Sequence, residues 1–285
     1  MTLTEALQIS LLPSLVSCFG GADGAIRSEL SGGLRSYRYQ WSDASPDNTN
    51  PTRTGLSAGL YSLIVTDSND CQRVSSTTVA QQTALSLSAQ TMPVTCNSGN
   101  TGAIDLTVSG GSLPYRYVWN TRSANTEDLE NLIAGSYSVT VIDGNGCVGS
   151  LSVTISQPTD LTVTTVLTNN TCSGDRTGAV RLRWTGGTGT YEQFRFAWMD
   201  NLGMRSETTS DLQAPPAGSY TVVVTDANGC TATTQTTINQ PPAFALNGEV
   251  VAVACNGGKT GSVDLTVEGG TPGYRYMWSR TKPGY

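Results

Sequence analysis

Cys96–Asn97–Ser98–Gly99–Asn100–Thr101–Gly102–Ala103–Ile104–Asp105–Leu106–Thr107–Val108 returns later as Cys255–Asn256–Gly257–Gly258–Lys259–Thr260–Gly261–Ser262–Val263–Asp264–Leu265–Thr266–Val267. Looser copies begin at Cys18 and Cys172. A period near 80 residues reads as an array of like modules rather than one large domain. It divides the 285 residues into three whole repeats, 1–82, 83–158 and 159–242, and the front half of a fourth, 243–285. Units of roughly 60–80 residues bury small cores and commonly need a covalent staple.

The second repeat reads outward from the quoted stretch as a succession of strands. Leu85–Gln90 is expected to form the first. Ala103–Val108 alternates, with Ile104, Leu106 and Val108 on one face. After the Gly110–Gly111 turn, Tyr115, Tyr117 and Trp119 alternate with Arg116 and Val118. Leu129–Leu132 and Tyr137–Ile142 follow, then the hairpin signal Asp143–Gly144–Asn145–Gly146 and a last strand, Val148–Ile155. The same landmarks recur along the chain. Gly-Gly pairs stand at Gly32–Gly33, Gly186–Gly187 and Gly269–Gly270. The aromatic triplets are Tyr37/Tyr39/Trp41, Phe194/Phe196/Trp198 and Tyr274/Tyr276/Trp278. The expected fold class is all-β: tandem small Ig-like antiparallel β-sandwiches of about six to seven strands, one disulfide per module.

The disulfide expectation rests on the cysteine count. Each whole repeat holds two cysteines: Cys18 and Cys71, Cys96 and Cys147, Cys172 and Cys230. If successive strands alternate in direction, both cysteines of a repeat fall at one end of its sandwich and pair there. Cys255 would then be unpaired, its partner falling past Tyr285. Such bridges close loops of 51 to 58 residues, for roughly 4 kcal/mol of chain entropy and about 2–4 kcal/mol in measured cases. Free buried thiols are the alternative. Paired cysteines imply an oxidising, extracellular setting. The chain has no histidine and no CxxC, so it offers no zinc pattern. Its two lysines, Lys259 and Lys282, lie in the last repeat, so the whole repeats have no lysine for an isopeptide staple.

Composition narrows the function classes. Net charge is −6, with 16 basic and 22 acidic residues. That lacks the basic footprint of a nucleic-acid binder. No 18-residue apolar run exists, so membrane insertion by this segment is not expected. The start lacks the basic region of a signal peptide, and Leu7 is spaced from Cys18 as Leu85 is from Cys96. The first residues therefore read as a first strand, and the chain as a piece of a longer protein. The final half-repeat is expected to show exposed edges.

The combination Cys-x7-[Ile/Val] after a Gly-Ala turn, Gly-Gly followed by Tyr-x-Tyr-x-Trp, and Ala-Gly-x-Tyr-x5-Asp-x-Asn-x-Cys resembles the SprB-type repeat. Module one departs from it with Asp70 where its neighbours have Gly146 and Gly229, and with Gln81–Gln82 in place of Gln-Pro. Such repeats occur in very large surface adhesins of gliding Bacteroidetes exported by type IX secretion. The resemblance implies an extracellular, cell-surface β-sandwich adhesin segment but supplies no ligand; the partner expected is a surface polysaccharide or other cell-surface ligand.

Two residue sets invite a binding reading. Asp67/Asn69, Asp143/Asn145 and Asp226/Asn228 offer oxygen atoms that calcium accepts, while the same residues are good turn formers. Turn chemistry is the favoured reading, and no other cofactor is expected. Trp41, Trp119, Trp198 and Trp278 would serve as a sugar platform if exposed, but their alternation places them in the core. Trp184, on the face of Val180 and Leu182, is expected in the core as well. The recurring Arg38, Arg116, Arg195 and Arg275 point the other way, suited to cross-strand carboxylates. There is no histidine base, no positioned nucleophile and no unrepeated acid cluster, so an enzyme is not expected. An adhesive repeat segment is the leading reading, with a glycan-binding array or a structural stalk as alternatives.

Overall fold

A computed structural model of the protein describes residues 5–43, 49–121 and 125–279. Its regular structure is twenty-one strands and one short 3-10 turn, with no α-helix among the described residues. Alternating apolar and polar residues give strands that bury one face, and Gly-rich turns separate them. The chain divides into two compact units. One comprises Met1–Val94 and Asn100–Ser156, the other Thr95–Gly99 and Gln157–Tyr285.

The first unit holds two six-stranded sandwiches. In the first, sheet β1 (Gln8–Ser14), β2 (Gly24–Ser31), β4 (Thr52–Leu56) and sheet β3 (Arg38–Trp41), β5 (Gly59–Thr66), β6 (Gln72–Val79) enclose Val16, Ile26, Trp41, Leu63 and Val65. The second repeats this order: β7 (Ser86–Met92), β8 (Gly102–Ser109), β10 (Leu129–Leu132) and β9 (Arg116–Trp119), β11 (Gly135–Ile142), β12 (Val148–Ile155). Its core joins Ile104, Leu106, Trp119, Val139 and Val141. Along β11 the buried residues are Tyr137, Val139 and Val141, the two-residue period of a half-buried strand.

The second unit contains a third sandwich. Sheet β13 (Thr162–Thr168), β14 (Ala179–Thr185), β17 (Asp211–Gln213) covers sheet β15 (Arg195–Asp200), β16 (Gly203–Met204), β18 (Gly218–Thr225), β19 (Thr231–Ile238) around Trp198, Tyr220 and Val222. The extra strand, β16, arises from the longer loop of this repeat. Arg205 holds that loop, pairing with Asp200 at 2.8 Å and Glu207 at 2.5 Å, its guanidinium 5.6 Å over the Tyr220 ring. Last comes one hairpin, β20 (Ala245–Val251) with β21 (Ser262–Glu268).

Three sequence expectations are corrected. First, Trp278 is 64% exposed rather than core, because the β20–β21 hairpin has no facing sheet among the described residues. Second, strand direction does not simply alternate. β1 pairs antiparallel with β2, and β2 with β4. β6 pairs antiparallel with β5, and β5 with β3. The parallel bridge Val16↔Gln81 aligns β1 with β6. β3 and β4 therefore run the same way, and the connection between them crosses from sheet to sheet.

The third correction follows from the second. Cys18 lies where β6 ends, and Cys71 lies where β6 begins. A strand of this length at about 3.3 Å per residue separates them by roughly 25–30 Å, whereas bridged Cα atoms lie within about 7 Å. The bonds that form are Cys18–Cys147, inside the first unit, and Cys96–Cys230, inside the second, each with Cα atoms 5.6 Å apart. Cys71, Cys172 and Cys255 are free and exposed. Each bridge thus joins the first cysteine of one repeat to the second cysteine of the next, and the expected pairs Cys18–Cys71, Cys96–Cys147 and Cys172–Cys230 do not form.

Candidate functional site

The residues that recur with fixed spacing converge on these bridges. In the β11–β12 hairpin, the Asp143 N–H donates to the Cys147 carbonyl at 2.9 Å, and the Gly146 N–H donates to the Asp143 carbonyl at 3.0 Å. The Asp143 carboxylate accepts from the N–H groups of Asn145 (2.9 Å), Cys147 (2.8 Å) and Ser112 (2.9 Å). The last of these ties the hairpin to the Gly110–Gly111 turn. A Cβ on Gly111 would lie 2.6 Å from the carboxylate, so this position admits no side chain. Gly146, at φ +86°, takes the left-handed conformation that closes the hairpin.

Asp226 is held in the same way by Thr188, Asn228 and Cys230, and Asp67 by Leu34, Asn69 and Cys71. Burial works against the Asp143 and Asp226 charges, but the converging N–H groups outweigh it and hold both carboxyls below the ordinary value of 3.8. For Asp67 the Leu34 N–H is the leading cause of the same downward shift. These oxygens are engaged by the backbone. Among the described residues no three His, Cys, Asp or Glu side chains gather as a metal cluster.

The asparagines of the second and third Asp-x-Asn motifs perform a different task. The Asn145 amide donates to the Ser17 carbonyl, next to Cys18, at 3.1 Å. In the second unit the Asn228 amide donates to the Thr95 carbonyl, next to Cys96, at 3.2 Å. One hydrogen bond therefore accompanies each bridge from the same hairpin position.

The incoming cysteine loop is itself ordered. The Gly21 N–H donates to the Cys18 carbonyl at 3.0 Å, and the Gly99 N–H to the Cys96 carbonyl at 3.1 Å. A glutamine after the last strand fastens each loop to its sandwich: Gln81 accepts from the Gly20 N–H, Gln157 from the Ser98 N–H, and Gln240 from the Gly174 N–H, all at 2.8–2.9 Å. The glutamine recurs two residues after each final buried Val79, Ile155 and Ile238, and that spacing was the signal for its role.

The tryptophans are used internally. Trp41, Trp119 and Trp198 are buried, and their indole N–H groups donate to the Asn50, Thr126 and Thr209 carbonyls at 2.8–3.0 Å. Trp184 is half-buried in a ring cluster with Tyr191, Phe194 and Phe196. Tyr61, Tyr137 and Tyr220 each donate a hydroxyl to the carbonyl four residues earlier. Of the repeated arginines, Arg38 pairs with Asp70 at 2.5 Å. At the position of Asp70 the second and third repeats have Gly146 and Gly229, and among the described residues Arg116 and Arg195 form no ion pair.

Four segments match the family model described as SprB repeat: residues 16–46, 88–124, 164–192 and 247–281. Comparison with the curated proteins gives no match. Similar solved structures include three N-terminal domains of the outer capsid protein Hoc of bacteriophage RB49. They are 13% identical, with 82% of this chain and 99% of that one covered and a TM-score of 0.41. Others are titin I-band fragment I67–I69, 13% identical over 82% and 98% of the two chains with a TM-score of 0.38, and Sidekick-1 immunoglobulin domains 1–5, 11% identical over 83% and 59% with a TM-score of 0.39.

Proposed function

We propose that the chain, four segments of which match the SprB-repeat family model, is a non-enzymatic repeat segment of a cell-surface adhesin. In this reading it works outside the cell, supplies reach, and presents many weak contacts at once. The observation that carries the reading is the covalent joining of successive repeats, Cys18 to Cys147 and Cys96 to Cys230. A bond between modules resists separation of those modules, which a module that acts alone does not need. Multiplying a weak contact along such an array raises avidity without a strong individual site.

The partner proposed is a surface polysaccharide or other cell-surface ligand, without nucleic acid and without membrane insertion by this segment. Burial of Trp41, Trp119 and Trp198 weighs against sugar stacking by those rings. Backbone occupation of the Asp67, Asp143 and Asp226 oxygens favours turn chemistry over calcium. Beads bearing the whole chain at graded density test the adhesive part on polysaccharide-coated surfaces. Attachment should rise steeply with density. Retention equal to bare beads at every density would leave only a stalk.

A further inference from the structure

We propose that the Asp-x-Asn-x-Cys hairpin is a covalent receptor for the first-cysteine loop of another SprB repeat, and that Cys71 is such a receptor, able to take the Cys255 loop of a second copy of this chain. The inference stands on the bridge geometry and does not depend on the adhesive reading.

Two receptors are filled in the structure. At Cys147 and at Cys230 the hairpin supplies the sulfur and an asparagine amide that grips the carbonyl preceding the incoming cysteine. A third loop lies at the corresponding place: Cys172 and Ser173 share a cleft with Pro241, Phe244 and Gly270. Cys96 likewise shares its cleft with Pro158, Leu161 and Gly187 at the finished Cys96–Cys230 bridge. Loop placement on the next first strand is therefore common to a bonded and an unbonded junction.

The Cys71 hairpin has every part of a filled receptor. Asp67 accepts from Asn69 and Cys71 at 2.8 and 3.0 Å, as Asp143 does from Asn145 and Cys147. Asp70 adopts φ +60° in place of the glycine, so the turn is kept. The Cys71 thiol is free and exposed, and the Asn69 side-chain amide makes no hydrogen bond among the described residues. The complementary piece is also present. Cys255 is free, and its loop is closed by the Gly258 N–H donating to the Cys255 carbonyl at 2.9 Å, the turn found at Cys18 and Cys96.

The bond forms by thiol–disulfide exchange with a glutathione-type disulfide. One cysteine thiolate attacks oxidised glutathione, giving a mixed disulfide and one glutathione thiolate. The partner's thiolate then attacks the protein sulfur of that mixed disulfide and expels the second glutathione. Two protein thiols lose two electrons and two protons in sum, and two molecules of reduced glutathione carry them away. Joining Cys71 of one copy to Cys255 of the next is a head-to-tail contact, which propagates rather than closes.

The test is incubation of the purified chain in a glutathione redox buffer, followed by non-reducing electrophoresis and peptide mapping. Expected are concentration-dependent dimers and higher species in which the Cys71 peptide is joined to a Cys255 peptide, and their loss in Cys71→Ser. Asn69→Ala should slow bridge formation roughly fivefold, the scale of one lost hydrogen bond, with the circular dichroism spectrum unchanged. Cys71 recovered chiefly as Cys71–Cys71 pairs, or only as its glutathione adduct at every protein concentration, would overturn the proposal. So would an Asn69→Ala chain that couples at the parent rate.

Discussion

At the scale of single residues, the decisive group is the aspartate that opens each Asp-x-Asn hairpin. Its carboxylate organises a turn and anchors that turn to the Gly-Gly corner. Because Asp67, Asp143 and Asp226 titrate below their ordinary 3.8 in the folded chain, the unfolded chain binds their protons more readily. Their stabilisation is complete above 3.8 and is lost as pH falls through the lowered folded values. Thermal melts from pH 6 to pH 2 should therefore show an acid-side loss of Tm, and the Asp143→Asn and Asp226→Asn chains should show a shallower loss. Asp70 makes the opposite case. An L-residue in the left-handed region costs about 1–2 kcal/mol, and its exposed pairing with Arg38 returns about 0–1 kcal/mol. Asp70→Gly should accordingly stabilise the first sandwich by about 0–2 kcal/mol in denaturant melts.

Among the elements, the aromatic strands β3, β9 and β15 show how one motif depends on its surroundings. The alternation of Tyr115, Tyr117 and Trp119 identified the inward face, and Trp119 is buried against Ile104 and Val139. The same alternation at Tyr274, Tyr276 and Trp278 leaves the indole in solvent. Local pattern names a face, but burial needs a second sheet to cover it. Trp119→Ala should cost about 3–5 kcal/mol, read by hydrogen exchange in β9 and β11, whereas Trp278→Ala should change exchange in the β20–β21 hairpin by no more than about 0.5 kcal/mol. The strands themselves were legible: Leu129–Leu132 and Val148–Ile155 have the bounds that the alternation predicts. Strand direction was not, because nothing in the residues around Trp41 and Thr52 says that the chain changes sheet between β3 and β4.

For the whole molecule, the covalent connectivity is the main mechanical property. The two bridges span 129 and 134 residues of sequence, and they overlap, since Cys96 lies between Cys18 and Cys147. Chain inside a bridge cannot be drawn out while the bond stands. In a Cys96→Ser/Cys230→Ser chain pulled end to end, reductant should release the 129-residue separation, or about 450 Å at ~3.5 Å per residue. An extension that reductant leaves unchanged would show that Cys18–Cys147 does not carry the load. Chain-entropy arguments give a bridge over a loop of this size about 5 kcal/mol against unfolding, somewhat more than the within-repeat loops first expected. Its further consequence is that unfolding of neighbouring repeats becomes coupled.

The sequence by itself determined the period, the strand set, the inward faces of the whole repeats and the turn residues, because each depends on neighbours a few positions away. It also placed the cysteines beside the right turns. Which cysteine meets which was decided only in three dimensions, where the parallel course of β1 and β6 sets the two cysteines of a repeat a strand's length apart. A disulfide is governed by a distance of a few ångströms between residues more than a hundred positions apart, and no local preference encodes that distance.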